Sequence, residues 1–117
     1  MSRPPHLSPA VVAGDLLFLS GQLAFGPEGR IEGEVSVQTT HCLERLETVL
    51  LEHGLDRSAI VKVSVWLTER SAFTAFNDAY AAFFGEQRPA RSTVISGLAI
   101  DGALVEIDAI ALLQATS

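Results

Sequence analysis

The apolar residues of this chain change their spacing from segment to segment, and no other feature limits its fold so tightly. In Val35 to His53, Thr39, Cys42, Leu43, Leu46, Val49 and Leu50 recur at steps of three and one, while Glu44, Arg45, Glu47 and Glu52 fall opposite. That is one face of an amphipathic helix. From Ile60 to Thr68 the period drops to two: Val61, Val63, Val65 and Leu67 on one side, Lys62, Ser64 and Trp66 on the other. This predicts a strand with one covered face. Phe73, Phe76, Tyr80, Phe83 and Phe84 then mark a second helix, ended near Gly85. Leu104 to Leu113 alternates again, with Val105, Ile107, Ala109, Ala111 and Leu113 sharing a face.

Turn signals join these segments. Gly14-Asp15 separates two apolar runs within Val11 to Leu23, which predicts a hairpin whose stronger strand is Leu16–Gln22. Gly26-Pro27-Glu28-Gly29 is a second turn, with a short extended piece expected at Arg30–Glu32. Ser36 is the expected N-cap of the first helix, and Gly54 suits its left-handed C-terminal position. Ser92–Ser96 reads as extended, with a hairpin-type turn at Asp101-Gly102 before the last strand. Met1–Pro9 reads as an irregular lead-in and lacks the apolar run of a signal peptide. The order predicts a single α+β domain over residues 1–117, with both helices on one face of a mixed sheet.

Composition narrows the function. Apolar residues make up 48% and charged residues 19%, which argues against disorder. The formal charge is −6, with eight scattered Lys and Arg, so nucleic acid is not an expected partner. No apolar stretch approaches the ~20 residues of a membrane span, and a cytoplasmic location is the default. Cys42 is the only cysteine and reads as an inert thiol on the apolar face of the first helix. His6, His41 and His53 lack helical ligand spacing, so no metal is expected. Phosphate-binding glycine motifs and a Gly-x-Ser-x-Gly elbow are absent, and the setting of Ser20 does not suit a nucleophile.

With the helices on one side, the other side of the sheet still carries Trp66, Leu104, Ile110 and Leu112, beside Glu106 and Asp108. A monomer seldom leaves such a surface in water, so another subunit is expected there. Arg91 is the nearest basic residue in sequence, and two adjacent antiparallel strands would bring it to Glu106. Spacing alone leaves two readings open: a structural ion pair, or an anion clamp beside a carboxylate that relays protons. The aromatic stripe of the second helix reads mainly as core packing, with a ligand cage as the alternative.

Four blocks stand out: Ala13-Gly14-Asp15-Leu16-Leu17-Phe18-Leu19-Ser20-Gly21-Gln22, Phe76 to Phe84 with Asn77-Asp78-Ala79-Tyr80, Arg88-Pro89-Ala90-Arg91-Ser92-Thr93-Val94, and Val105-Glu106-Ile107-Asp108-Ala109-Ile110-Ala111. Together they resemble the reactive-intermediate deaminase family, the RidA or YjgF-like proteins. They occur in the family's order and span nearly the whole chain. The resemblance implies a chorismate-mutase-like fold, a homotrimer whose sheets form a central barrel, and ligand clefts between subunits. It implies hydrolysis of enamines and imines such as 2-aminoacrylate to 2-oxo acids and ammonia, without cofactor or metal. Residue by residue, Arg91 matches the arginine that grips the substrate carboxylate. Glu106 matches the acidic residue that positions or activates water, and Gly21 lies where backbone lines the pocket. Asn77 matches a residue that supports the pocket, and Tyr80 one that packs. Thr93 stands where typical members carry a cysteine, and Leu7 where a tyrosine is common. These departures imply a larger or more apolar ligand, or a divergent subgroup. A ligand-binding or regulatory trimer without catalysis is the first alternative, and an RNA-cleaving role the second.

Overall fold

The structure, a computed structural model, describes residues 4–113; Met1–Arg3 of the expected lead-in lie outside them. The elements are β1 (Ala10–Ala13), β2 (Leu16–Gln22), α1 (Val35–Glu52), β3 (Ile60–Leu67), α2 (Phe73–Phe84), β4 (Ala90–Ile95) and β5 (Val105–Leu112), with single 3-10 turns at Arg57–Ala59 and Arg70–Ala72. The strands form one sheet in the order β1-β2-β5-β3-β4. Only β3 and β4 run parallel; the other neighbours are antiparallel.

This order explains why both helices share a face. α1 leads from β2 to β3, and α2 leads from β3 to β4. Both crossovers join strands of one direction and move the same way across the sheet. A single handedness of connection therefore lays both helices on one side. They pack against each other, α1 lies on β2 and β5, and α2 joins the same core through Phe76, Tyr80 and Phe84. Leu43, Leu46 and Leu50 of α1, Phe76 of α2, Val63 and Val65 of β3 and Ile107 of β5 meet in one core, all essentially without solvent contact.

The first helix ends as its sequence predicts. Gly54 sits at φ +75, Leu55 N–H donates to Leu50 O, and Gly54 N–H donates to Leu51 O. This is a Schellman closure. Its start differs from expectation. Glu34, not Ser36, is the N-cap, in extended conformation and without a side-chain hydrogen bond. Gln38 N–H donates to Glu34 O, so Ser36 already lies in the first turn. What holds this end is Gln38, which is 1% exposed. Its Nε2 donates to Gly33 O (2.9 Å) and Gly102 O (3.0 Å), and its Oε1 accepts from Leu104 N–H (2.9 Å). One buried amide thus ties the helix entry to the loop before β5. Further along, Arg57 joins α1 to α2: it bonds Glu47 through two nitrogens and lies 3.7 Å over the Phe83 ring.

Three strand expectations are corrected. Arg30–Glu32 is not a strand; the turn closes through Gly26 N–H donating to Arg30 O, leaving a lone Phe25–Ile31 bridge. Val61 does not share the covered face. The register with β5 slips between Ile60 and Lys62, so Ile60 enters the core and Val61 faces solvent. That is a bulge, which period counting cannot see. Finally, Asp101-Gly102 is a turn but does not close a hairpin, because β3 lies between β4 and β5. The link passes the end of β3, where Ser96 N–H donates to Leu67 O and Thr68 N–H to Leu104 O.

Replacing Gln38 by Ala strands a buried N–H and two carbonyls. The expected cost is about 2–4 kcal/mol of stability, read as a lower urea midpoint at unchanged denaturant slope.

Candidate functional site

Arg91 is held from two directions. It lies on edge strand β4 opposite Val63 of β3, so its side chain leaves the sheet on the helix side. There α2 presents one face to it. Asn77 Oδ1 accepts from Arg91 Nη1 at 2.9 Å. The guanidinium carbon lies 4.7 Å from the Tyr80 ring centroid, 5.2 Å from Phe76 and 5.8 Å from Phe73. Charge over ring faces within about 6 Å is attractive. The expected core stripe is therefore divided in use: Phe76, Tyr80 and Phe84 are buried, whereas Phe73 stays 42% exposed. Among the described residues Arg91 has no carboxylate partner, so the structural ion pair read from spacing does not form within the chain. The rest of its planar fork remains available to an anion. Thr93, opposite Val65, leaves the same side of β4 and is half-buried.

Glu106 belongs to the other side of the sheet. It pairs in register with Trp66, which alternates with the buried Val65 and Leu67. Burial pushes its carboxyl above the usual range, and the neighbouring Asp108 adds to the rise. Burial also raises Asp108, while Ser64 and Lys62 pull it back. Gly21 is built around Glu106. The β2–β5 register slips between Leu19 and Gln22, and a Cβ on Gly21 would stand 2.2 Å from Glu106 Oε2. Only a residue without a side chain leaves the carboxylate where it is. Around this pair the face is apolar and open, with Phe18 and Leu112 more than two-fifths exposed.

The expected meeting of Arg91 and Glu106 does not occur within one chain. β3 separates their strands, and they leave the sheet on opposite sides. Two half-sites result: Arg91 with Asn77, Tyr80 and Thr93 toward the helices, and Glu106 with Gly21 on the open face. Cys42 is buried, and desolvation pushes its thiol up to about 12, which suits an inert core group. Leu7 is exposed and apolar. Sequence reasoning missed the aromatic cradle as an arginine support. Phe76 and Asn77 beside a strand-borne arginine were its only signal. It also passed over Gln87 and Arg88, which line a cavity of about 360 Å³ with Arg91.

Gly21→Ala is expected to move the Glu106 carboxylate, the flexible end of that contact, at a stability cost within about 1 kcal/mol. Carbon-detected titration of Glu106 checks this: its midpoint should shift while the fold persists. A pH effect follows from the paired carboxyls. Both are raised when folded, so the folded state holds more protons than the unfolded one. Stability therefore falls as pH rises from their ordinary values, 4.5 and 3.8, through the raised ones. Urea midpoints measured across that range should decline less in Glu106→Gln/Asp108→Asn than in the wild type. The difference removes opposing groups such as Glu47, which its hydrogen bond to Arg57 holds low.

Comparison with known proteins agrees with this architecture. A RutC family protein of Pyrococcus horikoshii is 39% identical over 107 residues, covering 89% of this chain and 84% of the relative. The structure of YyfA of the conserved Rid protein family from Yersinia pestis superposes with a TM-score of 0.87 at 36% identity, covering 96% of this chain and 91% of that one. Escherichia coli TdcF, solved with bound serine, superposes with a TM-score of 0.86 at 30% identity, covering 97% and 91%. The family profile described as endoribonuclease L-PSP matches residues 2–113. With its YjgF-like α+β fold, the chain belongs to this endoribonuclease L-PSP family, the family of the YjgF and Rid proteins.

Proposed function

We propose that this protein hydrolyses small carboxylated enamines and imines, of the 2-aminoacrylate type, to 2-oxo acids and ammonia in clefts between the subunits of a homotrimer. The observation that carries this reading is the split of the site: an arginine with an uncommitted fork on one side of the sheet, and a carboxylate with raised proton affinity on the other. Two different surfaces that complete each other make a head-to-tail contact, which generates a ring where the rotation between subunits closes. The open apolar face around Glu106 supplies area for it. The serine bound in the TdcF structure supports a pocket for small amino-acid-like ligands.

In this mechanism the substrate carboxylate docks on Arg91, whose orientation Asn77 and the Tyr80 and Phe76 rings maintain. That places the imine carbon before Glu106 of the neighbouring subunit. Glu106 takes a proton from water as the oxygen attacks and passes it to the imine nitrogen. It then takes the hydroxyl proton as the carbonyl forms and hands it to the same nitrogen as the carbon–nitrogen bond breaks and ammonia leaves. Its raised proton affinity suits both directions of transfer. Thr93 brings a hydroxyl, not a thiol, so its contribution is a hydrogen bond or its backbone. An RNA-cleaving role finds little support in a chain of net charge −6.

Arg91→Ala is expected to lower kcat/KM for 2-aminoacrylate hydrolysis roughly 10- to 100-fold, as loss of charged hydrogen bonds predicts. Glu106→Gln should lower kcat more than it changes KM. Co-refolding the two variants tests the shared cleft: mixed assemblies regain activity that neither parent has. An intact trimer with full activity in Arg91→Ala removes Arg91 from the mechanism. Saturable binding of 2-oxo acids without hydrolysis points instead to a binding trimer.

A further inference from the structure

The cavity beside Arg91 offers more positive charge than one carboxylate needs. Its volume, about 360 Å³, lies within the roughly 300–1,000 Å³ of small-molecule sites. One side is the C-terminal half of α2, and the other is the segment from Gln87 to Arg91. Both Arg88 and Arg91 line it, and among the described residues no carboxylate does. Arg88 makes no side-chain hydrogen bond or ion pair among the described residues. Its backbone is nonetheless fixed. Gln87 Nε2 donates to the carbonyls of Arg57 (2.8 Å) and Ile60 (3.2 Å), and Pro89 restricts the residue before it to extended conformations. The segment is tied down on both sides of a guanidinium that has nothing to hold.

Tyr80 adds an independent sign. It is 8% exposed, it lines the same cavity, and among the described residues its buried hydroxyl has no hydrogen-bond partner. Buried polar groups in folded proteins are nearly always partnered. Burial raises its proton affinity, so it remains a donor at neutral pH. Two arginines and a tyrosine with an unspent donor line a single cavity, a set that suits a ligand with two anionic ends.

We propose that the preferred substrate is a short 2-imino dicarboxylate, with Arg91 holding the carboxylate next to the imine carbon and Arg88 holding the distal one. This rests on the imine-hydrolysis reading and names its substrate class. The reaction is the same: water adds across C=N, the carbon–nitrogen bond breaks, and ammonia leaves with the carbonyl formed in its place, without oxidation or reduction. The supplying reaction must then be one that makes the 2-imine of an acidic amino acid. A distal carboxylate also explains why a second arginine stands beside the first, since a planar fork binds a carboxylate through two parallel bonds.

The test compares 2-iminosuccinate with 2-iminopropionate, each generated in place from its amino acid, in wild type and Arg88→Ala. The wild type should favour the dicarboxylate in kcat/KM by roughly tenfold, and Arg88→Ala should bring that ratio close to one. Arg88→Lys should keep part of the preference. A wild-type ratio at or below one, or a ratio unchanged in Arg88→Ala, overturns the inference while imine hydrolysis stands. If neither imine is accelerated, the catalytic reading fails, and calorimetry decides the site separately. Tighter binding of 2-oxoglutarate than pyruvate by roughly tenfold, lost in Arg88→Ala, upholds a dicarboxylate site. Equal binding of the two acids, or none, overturns it.

Discussion

The pairing of β3 with β5 is the constraint from which the rest of this structure follows. It places the last strand at the centre of the sheet, between strands that enter the chain long before it. Once β5 is central, β2, β3 and β4 all run the same way, and both helical crossovers fall on one side. The alternation of β3 and β5 then divides labour. Val63, Val65, Val105 and Ile107 face the helices, while Trp66, Glu106 and Asp108 face outward. Buried Gln38 holds the loop that delivers β5 to its slot.

The same pairing separates the chemistry. Arg91 is a residue of the edge strand on the helix side, where aromatic rings and Asn77 can support a charge without neutralising it. Glu106 sits on the central strand on the open side, where a glycine makes room for it and partial burial raises its proton affinity. An ion pair between them inside one chain would have spent both groups on stability. Kept apart, each stays available for a ligand or for a second subunit.

The candidate residues were legible in the sequence, and their arrangement was not. The hairpin at Gly14-Asp15, the helix ending at Gly54 and the second helix ending at Gly85 are local events, governed by backbone conformation and helical period. Arg91 and Glu106 stood out by residue type, and Gly21 and Asn77 only by family resemblance. The bulge at Val61, the slip beside Gly21 and the insertion of β3 between β4 and β5 left no local trace. Each depends on which strand pairs with which, an outcome set by partners distant in the chain.

Amino-acid order alone therefore determined the elements, their amphipathic faces and the inventory of charged groups, because these arise from contacts between near neighbours. Tertiary structure alone decided that Arg91 and Glu106 look away from each other, that Gln38 rather than Ser36 secures the first helix, and that Arg88 shares a cavity with Arg91. Those facts follow from strand order and long-range burial, where one register or one inserted strand moves a side chain to the opposite face.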